Sequence, residues 1–165
     1  MGSLLSDLSV VVNGQLHGID VTVYDVTHDS REVGPGTLFV AIEGAAADGH
    51  DFIHGAAKSG ASAVVVEHLT DTKLPQILVP DCRAAMGFLA DMVHGHPSQG
   101  LTVVGITGTN GKTTVSYMLE AIGRAAGAPA AVIGTTGLLI EGVLTTIGRT
   151  TPEASDLHRM LAQLR

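Results

Sequence analysis

The sequence predicts an α/β fold: a small N-terminal α/β domain with a mixed sheet, followed by the beginning of a P-loop-type parallel α/β domain. Three observations carry this. Strand-like and helix-like apolar patterns alternate along the chain. The polar stop His94-Gly95-His96-Pro97-Ser98-Gln99-Gly100 divides it, with two glycines and a proline in seven residues. Just beyond, the apolar run Leu101-Thr102-Val103-Val104 leads into the glycine loop Gly105-Ile106-Thr107-Gly108-Thr109-Asn110-Gly111-Lys112-Thr113-Thr114. The domains are expected at 1–97 and 98–165.

In order along the chain, Val10 to Val12 and Ile19 to Val26 read as short strands, the second with alternating Val21 and Val23. Thr37 to Ile42 is a strong strand. Phe52 to Ser59 reads as a helix ended by Gly60. Ala61 to Val66 and Ile77 to Val79 are buried strands. Asp81 is placed to N-cap a helix from Cys82 to His94 whose inward positions are Ala85, Phe88, Leu89, Met92 and Val93. Leu101 to Thr107 is the strand feeding the glycine loop. A helix from Lys112 to Ala126 follows, expected to bury Val115, Met118, Leu119 and Ile122. Ala130 to Ile133 is a strand. Leu138 to Ile140 and Val143 to Thr146 flank Glu141-Gly142, a two-residue hairpin turn. A last helix begins at Thr151 with Pro152 at its first position.

Composition excludes several classes. The chain is 45% hydrophobic and 15% charged, which places it among globular proteins. A net charge of −7, with no Lys/Arg run, argues against nucleic acid. The single cysteine, Cys82, has no internal partner for a disulfide and reads as a buried small hydrophobe. No apolar run has the length of a membrane span. His50 and His54 lie four apart, but no third ligand accompanies them, so they do not read as a zinc site.

The glycine loop carries the chemistry. Small residues let backbone N–H groups approach phosphate oxygens, and a helix N-terminus adds positive potential. Lys112 would reach the outer phosphates, and the Thr113 hydroxyl would sit on Mg²⁺. The spacing is a variant: Ile106 stands where the first glycine of the common pattern would be, with Gly105 one place earlier. A bare strand-to-helix turn would leave Lys112 unexplained, because a cation in the first helical turn opposes the helix dipole.

Roughly 65 residues follow Gly100. Two strands, a hairpin and two helices do not cover both faces of a parallel sheet. No later strand ends in an acidic residue that would hold Mg²⁺. The second domain therefore reads as truncated.

Four blocks in order resemble the Mur ligase family: Asp29-Ser30-Arg31 with Pro35-Gly36-Thr37-Leu38-Phe39-Val40-Ala41; Asp48-Gly49-His50-Asp51-Phe52-Ile53 with Gly60-Ala61; Gly95-His96-Pro97-Ser98 leading into the glycine loop; and Thr150-Thr151-Pro152-Glu153. The variant loop is that family's normal form. The third and fourth blocks are more similar to the MurE type, which adds the third residue to UDP-MurNAc-L-Ala-D-Glu. The first two are shared with the MurF type, which adds D-Ala-D-Ala.

The resemblance implies an ATP-dependent amide ligase of peptidoglycan precursor synthesis, cytoplasmic, bacterial and monomeric. Its reaction passes through an acyl phosphate, with ATP, Mg²⁺, UDP-MurNAc-dipeptide and an amino acid as partners. Residues 1–97 would bind the UDP-sugar and 98–165 would begin the central ATP-binding domain. It implies ATP contacts at Gly108, Thr109, Asn110, Gly111, Lys112, Thr113 and Thr114, with Lys112 and Thr113 catalytic and Thr113 on Mg²⁺. It implies substrate contacts at His28, Ser30, Thr150 and Thr151. The chain departs from the family at Ala45-Ala46-Ala47, where polar residues often touch the uracil. The chain alone is expected to be inactive. The alternatives are a non-catalytic nucleotide- or UDP-sugar-binding module and the MurF-type ligase.

Overall fold

The computed structural model describes residues 2–44, 47–146 and 152–165. The chain forms two compact units: residues 1–100 with 154–163 and 165, and residues 101–153 with 164.

In the first unit the elements run β1 (Ser3–Leu4), α1 (Leu5–Val11), β2 (Gln15–His17), β3 (Thr22–Val23), β4 (Asp25–Thr27), β5 (Thr37–Val40), a 3-10 turn (Gly49–Phe52), α2 (Ile53–Ser59), β6 (Ala63–Val66), β7 (Gln76–Leu78), α3 (Cys82–Val93) and a 3-10 turn (Pro97–Gly100). The main sheet has five strands in the order β2-β7-β6-β5-β4. Strands β4 to β7 pair in parallel, and β2 closes one edge antiparallel to β7. Strands β1 and β3 form a separate antiparallel pair.

The sheet is buried on both faces, which is why β5 and β6 read as unbroken apolar runs. Alternate residues supply two cores. Leu38, Val40, Val65 and Ile77 face α1 and α3 and meet Leu5, Leu8, Met86 and Leu89. Phe39, Val64 and Val66 point the other way, onto Ile53 and Ala56 of α2. Asp81 caps α3 by accepting the Ala84 N–H at 2.8 Å. The Cys82 amide donates to Glu67 Oε1 at 2.8 Å, tying the end of β6 to the same helix start. Burial raises the Cys82 thiol to about 12, with help from nearby Glu67, Asp81 and Asp48.

Several expected elements differ. Val10 to Val12 is not a strand: Leu5 and Leu8 lie one helical turn apart and bury together, which sets a helix over Leu5–Val11 and leaves Val10 and Val11 exposed. Ile19 to Val26 is split, because β3 pairs with β1 whereas β4 pairs with β5. On α3, Phe88 is 62% exposed instead of inward-facing.

In the second unit, α4 (Lys112–Ala125) packs on β8 (Ala131–Gly134), followed by β9 (Gly137–Ile140) and β10 (Val143–Thr145). These strands form an antiparallel meander, β10-β9-β8. Glu141 and Gly142 make the expected hairpin turn with positive φ at both positions, 49° and 82°. The expected strand over Leu101 to Thr107 does not form. A strand exists through its ladder partners, and β8, β9 and β10 pair among themselves, leaving Val103 and Val104 61% and 63% exposed. For the same reason the apolar face of α4 is not buried: Val115, Met118, Leu119 and Ile122 are 43–65% exposed.

The last helix, α5 (Ala154–Gln163), follows the second unit in sequence but packs on α3 and β4 of the first. The expected N-cap, Thr151, lies outside the described residues.

Candidate functional site

The glycine-loop residues Gly108 to Thr114, the expected ATP contacts, form one exposed stretch that runs into α4. Gly108 and Gly111 have φ of 149° and 79°, in the region that favours glycine. Gly111 is the N-cap of α4, and no side chain caps the helix. The first-turn amides therefore have no acceptor within the helix and are available to an anion. A Cβ built at Gly105 or Gly111 would meet nothing within 4 Å, so packing does not demand glycine there. The conformation does at Gly111, and close backbone approach by a ligand would at both.

Lys112 is folded back onto its own loop. Its Nζ donates to the Gly108 carbonyl at 2.5 Å and reaches the Thr109 carbonyl at 3.5 Å. Among the described residues these carbonyls are its hydrogen-bond partners, and phosphate oxygens would be stronger ones. Ser116 Oγ donates to the Thr113 carbonyl at 2.8 Å. Thr113 Oγ1 lies 3.4 Å from Thr135 Oγ1, and Tyr117 OH lies 2.8 Å from Thr136 Oγ1. The Thr135-Thr136 turn between β8 and β9 was not legible as part of the site; from sequence it is simply a turn between glycines.

The residue set fits a magnesium–nucleotide. It offers free helix-start amides, a lysine and two adjacent hydroxyls, and among the described residues it holds no carboxylate bonded to the loop that would repel phosphate. Bound there, the cation would neutralise phosphate charge and polarise the terminal phosphoryl group.

The expected substrate contacts His28 and Ser30 lie on the turn after β4, in the first unit. That turn is closed by local bonds. Thr27 Oγ1 accepts the Asp29 N–H at 3.1 Å, and the Glu32 N–H donates to the Asp29 carbonyl at 3.0 Å. Arg31 Nε donates to Asp29 Oδ1 at 2.8 Å, and Arg31 Nη2 pairs with Oδ2. The Arg31 guanidinium holds the Asp29 carboxyl down at about 2, well under its ordinary value. Ser30 sits between the two charged partners. His28 Nδ1 lies 3.5 Å from Ser155 Oγ, a buried hydroxyl on the first turn of α5. Thr150 and Thr151 lie outside the described residues.

The turn is flanked by a second polar cluster. Arg159 of α5 donates to Asp25 and to the Val26 carbonyl, and pairs with Glu32 and Asp156. Burial pushes the Asp25 carboxyl up, but His94, Arg159 and the Val26 N–H outweigh it and hold the group below its ordinary value. His158, on the same helix, lies near Asp91; burial lowers its pKa more than Asp91 raises it. No group of three or more His, Cys, Asp or Glu among the described residues is placed to hold a metal ion.

An α/β unit with a mixed, doubly covered sheet, joined in sequence to a glycine-loop-and-helix unit, defines a class of α/β proteins of more than one unit. The comparisons narrow it. Residues 22–94 match the model described as Mur ligase family, catalytic domain, and residues 106–165 match the Mur ligase middle domain. The chain thus carries Mur ligase family domains. It is 44% identical over 166 residues to the UDP-N-acetylmuramoyl-L-alanyl-D-glutamate–2,6-diaminopimelate ligase of Geobacter sulfurreducens, across 97% of this chain and 32% of that protein. It is 42% identical over 163 residues to the ligase of the same name in Aquifex aeolicus, across 99% of this chain and 34% of the relative. A solved 2,6-diaminopimelate ligase of this name superposes with a TM-score of 0.70 at 27% identity, over 99% of this chain and 33% of its own. A MurF ligase from Thermotoga maritima in complex with ADP superposes at 0.58 with 28% identity, over 85% of this chain and 29% of its own. The chain spans about a third of the length of the curated relatives it matches.

Proposed function

We propose that this chain carries the UDP-sugar-binding and ATP-loop parts of an ATP-dependent ligase. In the complete enzyme it would add 2,6-diaminopimelate to UDP-MurNAc-L-Ala-D-Glu through an acyl phosphate. The observation that carries the reading is the loop from Gly108 to Thr114, with open amides at the start of α4 and Lys112 and Thr113 beside them. The substrate class rests on the names of relatives 39–44% identical to this chain, which are 2,6-diaminopimelate ligases. The same names favour the MurE type over the MurF type.

In this reading residues 1–97 hold the UDP end, with His28 and Ser30 on the turn after β4. Residues 98–165 begin the ATP site. Lys112 leaves the Gly108 carbonyl and turns to the outer phosphates. The first-turn amides of α4 take phosphate oxygens, and Thr113 offers its hydroxyl to Mg²⁺. Thr150 and Thr151 take the muramyl-peptide part. Such a site works by positioning and by electrostatic neutralisation of the transferring phosphoryl group. The enzyme would act as a cytoplasmic monomer. Among the described residues, no helix is long and apolar enough to cross a membrane.

The 165 residues alone are expected to bind but not to ligate. Calorimetry with Mg-ATP and, separately, with UDP-MurNAc-L-Ala-D-Glu tests the binding. Absence of heat with both ligands would sink the reading. ADP release that depends on the UDP-sugar and an amine would sink the claim that the chain is inactive alone.

A further inference from the structure

We propose that Thr135 is a positioning residue that orients the Thr113 hydroxyl for a nucleotide-bound divalent cation, an inference that rests on the nucleotide reading above. A hydroxyl that gives a lone pair to a cation must place its proton elsewhere. An acceptor on the far side fixes the rotor and makes the oxygen a better donor of its pair, as outer-shell partners do in metal sites generally. Thr135 Oγ1, 3.4 Å from Thr113 Oγ1, is such an acceptor. That separation is longer than the ~2.7–2.8 Å usual for a hydroxyl pair, so a small movement makes the bond.

The turn that carries Thr135 is held in place from a second point. Tyr117 stands four residues after Thr113, on the same face of α4. Its OH lies 2.8 Å from Thr136 Oγ1. The two adjacent threonines of one turn thus address two residues one helical turn apart. Thr136 is the anchor and Thr135 the contact. Both are exposed, so neither hydroxyl is there to satisfy a buried group. Gly137, with φ of 121°, lets the β8–β9 connection turn tightly between the paired Gly134 and Gly137, and the turn brings Thr135 to the helix start.

The test is calorimetry of ATP binding to the 165-residue chain, with Mg²⁺ and again in EDTA. Thr135→Val is expected to weaken Mg-ATP binding by about tenfold or more and to leave ATP binding in EDTA unchanged. Thr135→Ser, which restores the hydroxyl, is expected to bind like the parent. Adding Thr135→Val to Thr113→Val should cause no further loss. Equal Mg-ATP affinity for Thr135→Val and parent, an equal loss in EDTA, or additive losses in the double variant would overturn the proposal while leaving the nucleotide site standing. A parent chain that binds neither form of ATP would overturn both.

Discussion

Arg159 Nε donates to Asp25 Oδ1 at 3.2 Å across 134 residues of sequence, and its Nη2 reaches the Val26 carbonyl at 3.2 Å. One guanidinium therefore ties the last helix to the first strand of the parallel sheet. Arg159→Ala would take the guanidinium away from the half-buried Asp25, whose carboxylate also has His94 Nε2 at 3.4 Å. A loss of about 1–2 kcal/mol is expected, the low end of the range for charged hydrogen bonds because the cluster is partly solvated. Urea unfolding gives the magnitude. Hydrogen exchange should show α5 amides losing protection before those of β5; uniform loss across both would count against the tie.

Asp29 supplies a pH dependence. Its folded pKa, about 2, lies below the ~3.9 of an unfolded aspartate. A depressed carboxylate stabilises the fold above the unfolded value, and that stability is lost as pH falls through the folded one. The window is thus pH ~4 down to about 2. Asp29→Asn is expected to be less stable than the parent at neutral pH and to converge with it in strong acid. Thermal midpoints measured from pH 6 to pH 2 check this. A gap that stays constant across the range would refute it.

Lys112→Ala should abolish Mg-ATP binding without moving the thermal midpoint. Among the described residues the amine bonds to carbonyls of its own exposed loop, so the fold loses little when it goes. A drop in the midpoint with ATP affinity intact would reverse the assignment of this residue from binding to structure.

Gly49→Ala tests a close approach in the first unit. A Cβ at Gly49 would come within 2.5 Å of the Ile42 nitrogen and 2.7 Å of its oxygen, both backbone atoms. The Gly49 N–H also donates to that Ile42 carbonyl at 3.0 Å, so the two segments cannot part without losing the bond. A destabilisation of roughly 1–3 kcal/mol, the usual cost of overpacking, is expected from chemical denaturation. A variant as stable as the parent would show that the loop relaxes freely.

Much of the first unit was legible because its signals are local. The β5 and β6 runs are apolar on both faces and need no partner to be recognised, and Asp81 announces α3 by its own chemistry. The α1 helix was missed because seven residues with two buried leucines give too short a period to separate from a strand. The loop from Gly108 to Thr114 was readable as a motif. Its neighbours were not: Thr135 and Thr136 carry no spacing signal and meet Thr113 and Tyr117 only when β8 packs on α4. The charged cluster around Asp25 was equally invisible, since its cation comes from the other end of the chain.

The sequence by itself determined the α/β class, the glycine loop before α4 and the family blocks, because each depends on residues that are neighbours in the chain. Only the tertiary structure decided that Leu101 to Thr107 stays unpaired, that the apolar face of α4 remains exposed and that α5 returns to the first unit. Those outcomes depend on pairing and burial between distant segments. A ladder or a core face is completed by whatever partner lies across from it, and the run that seeks the partner does not encode whether one is there.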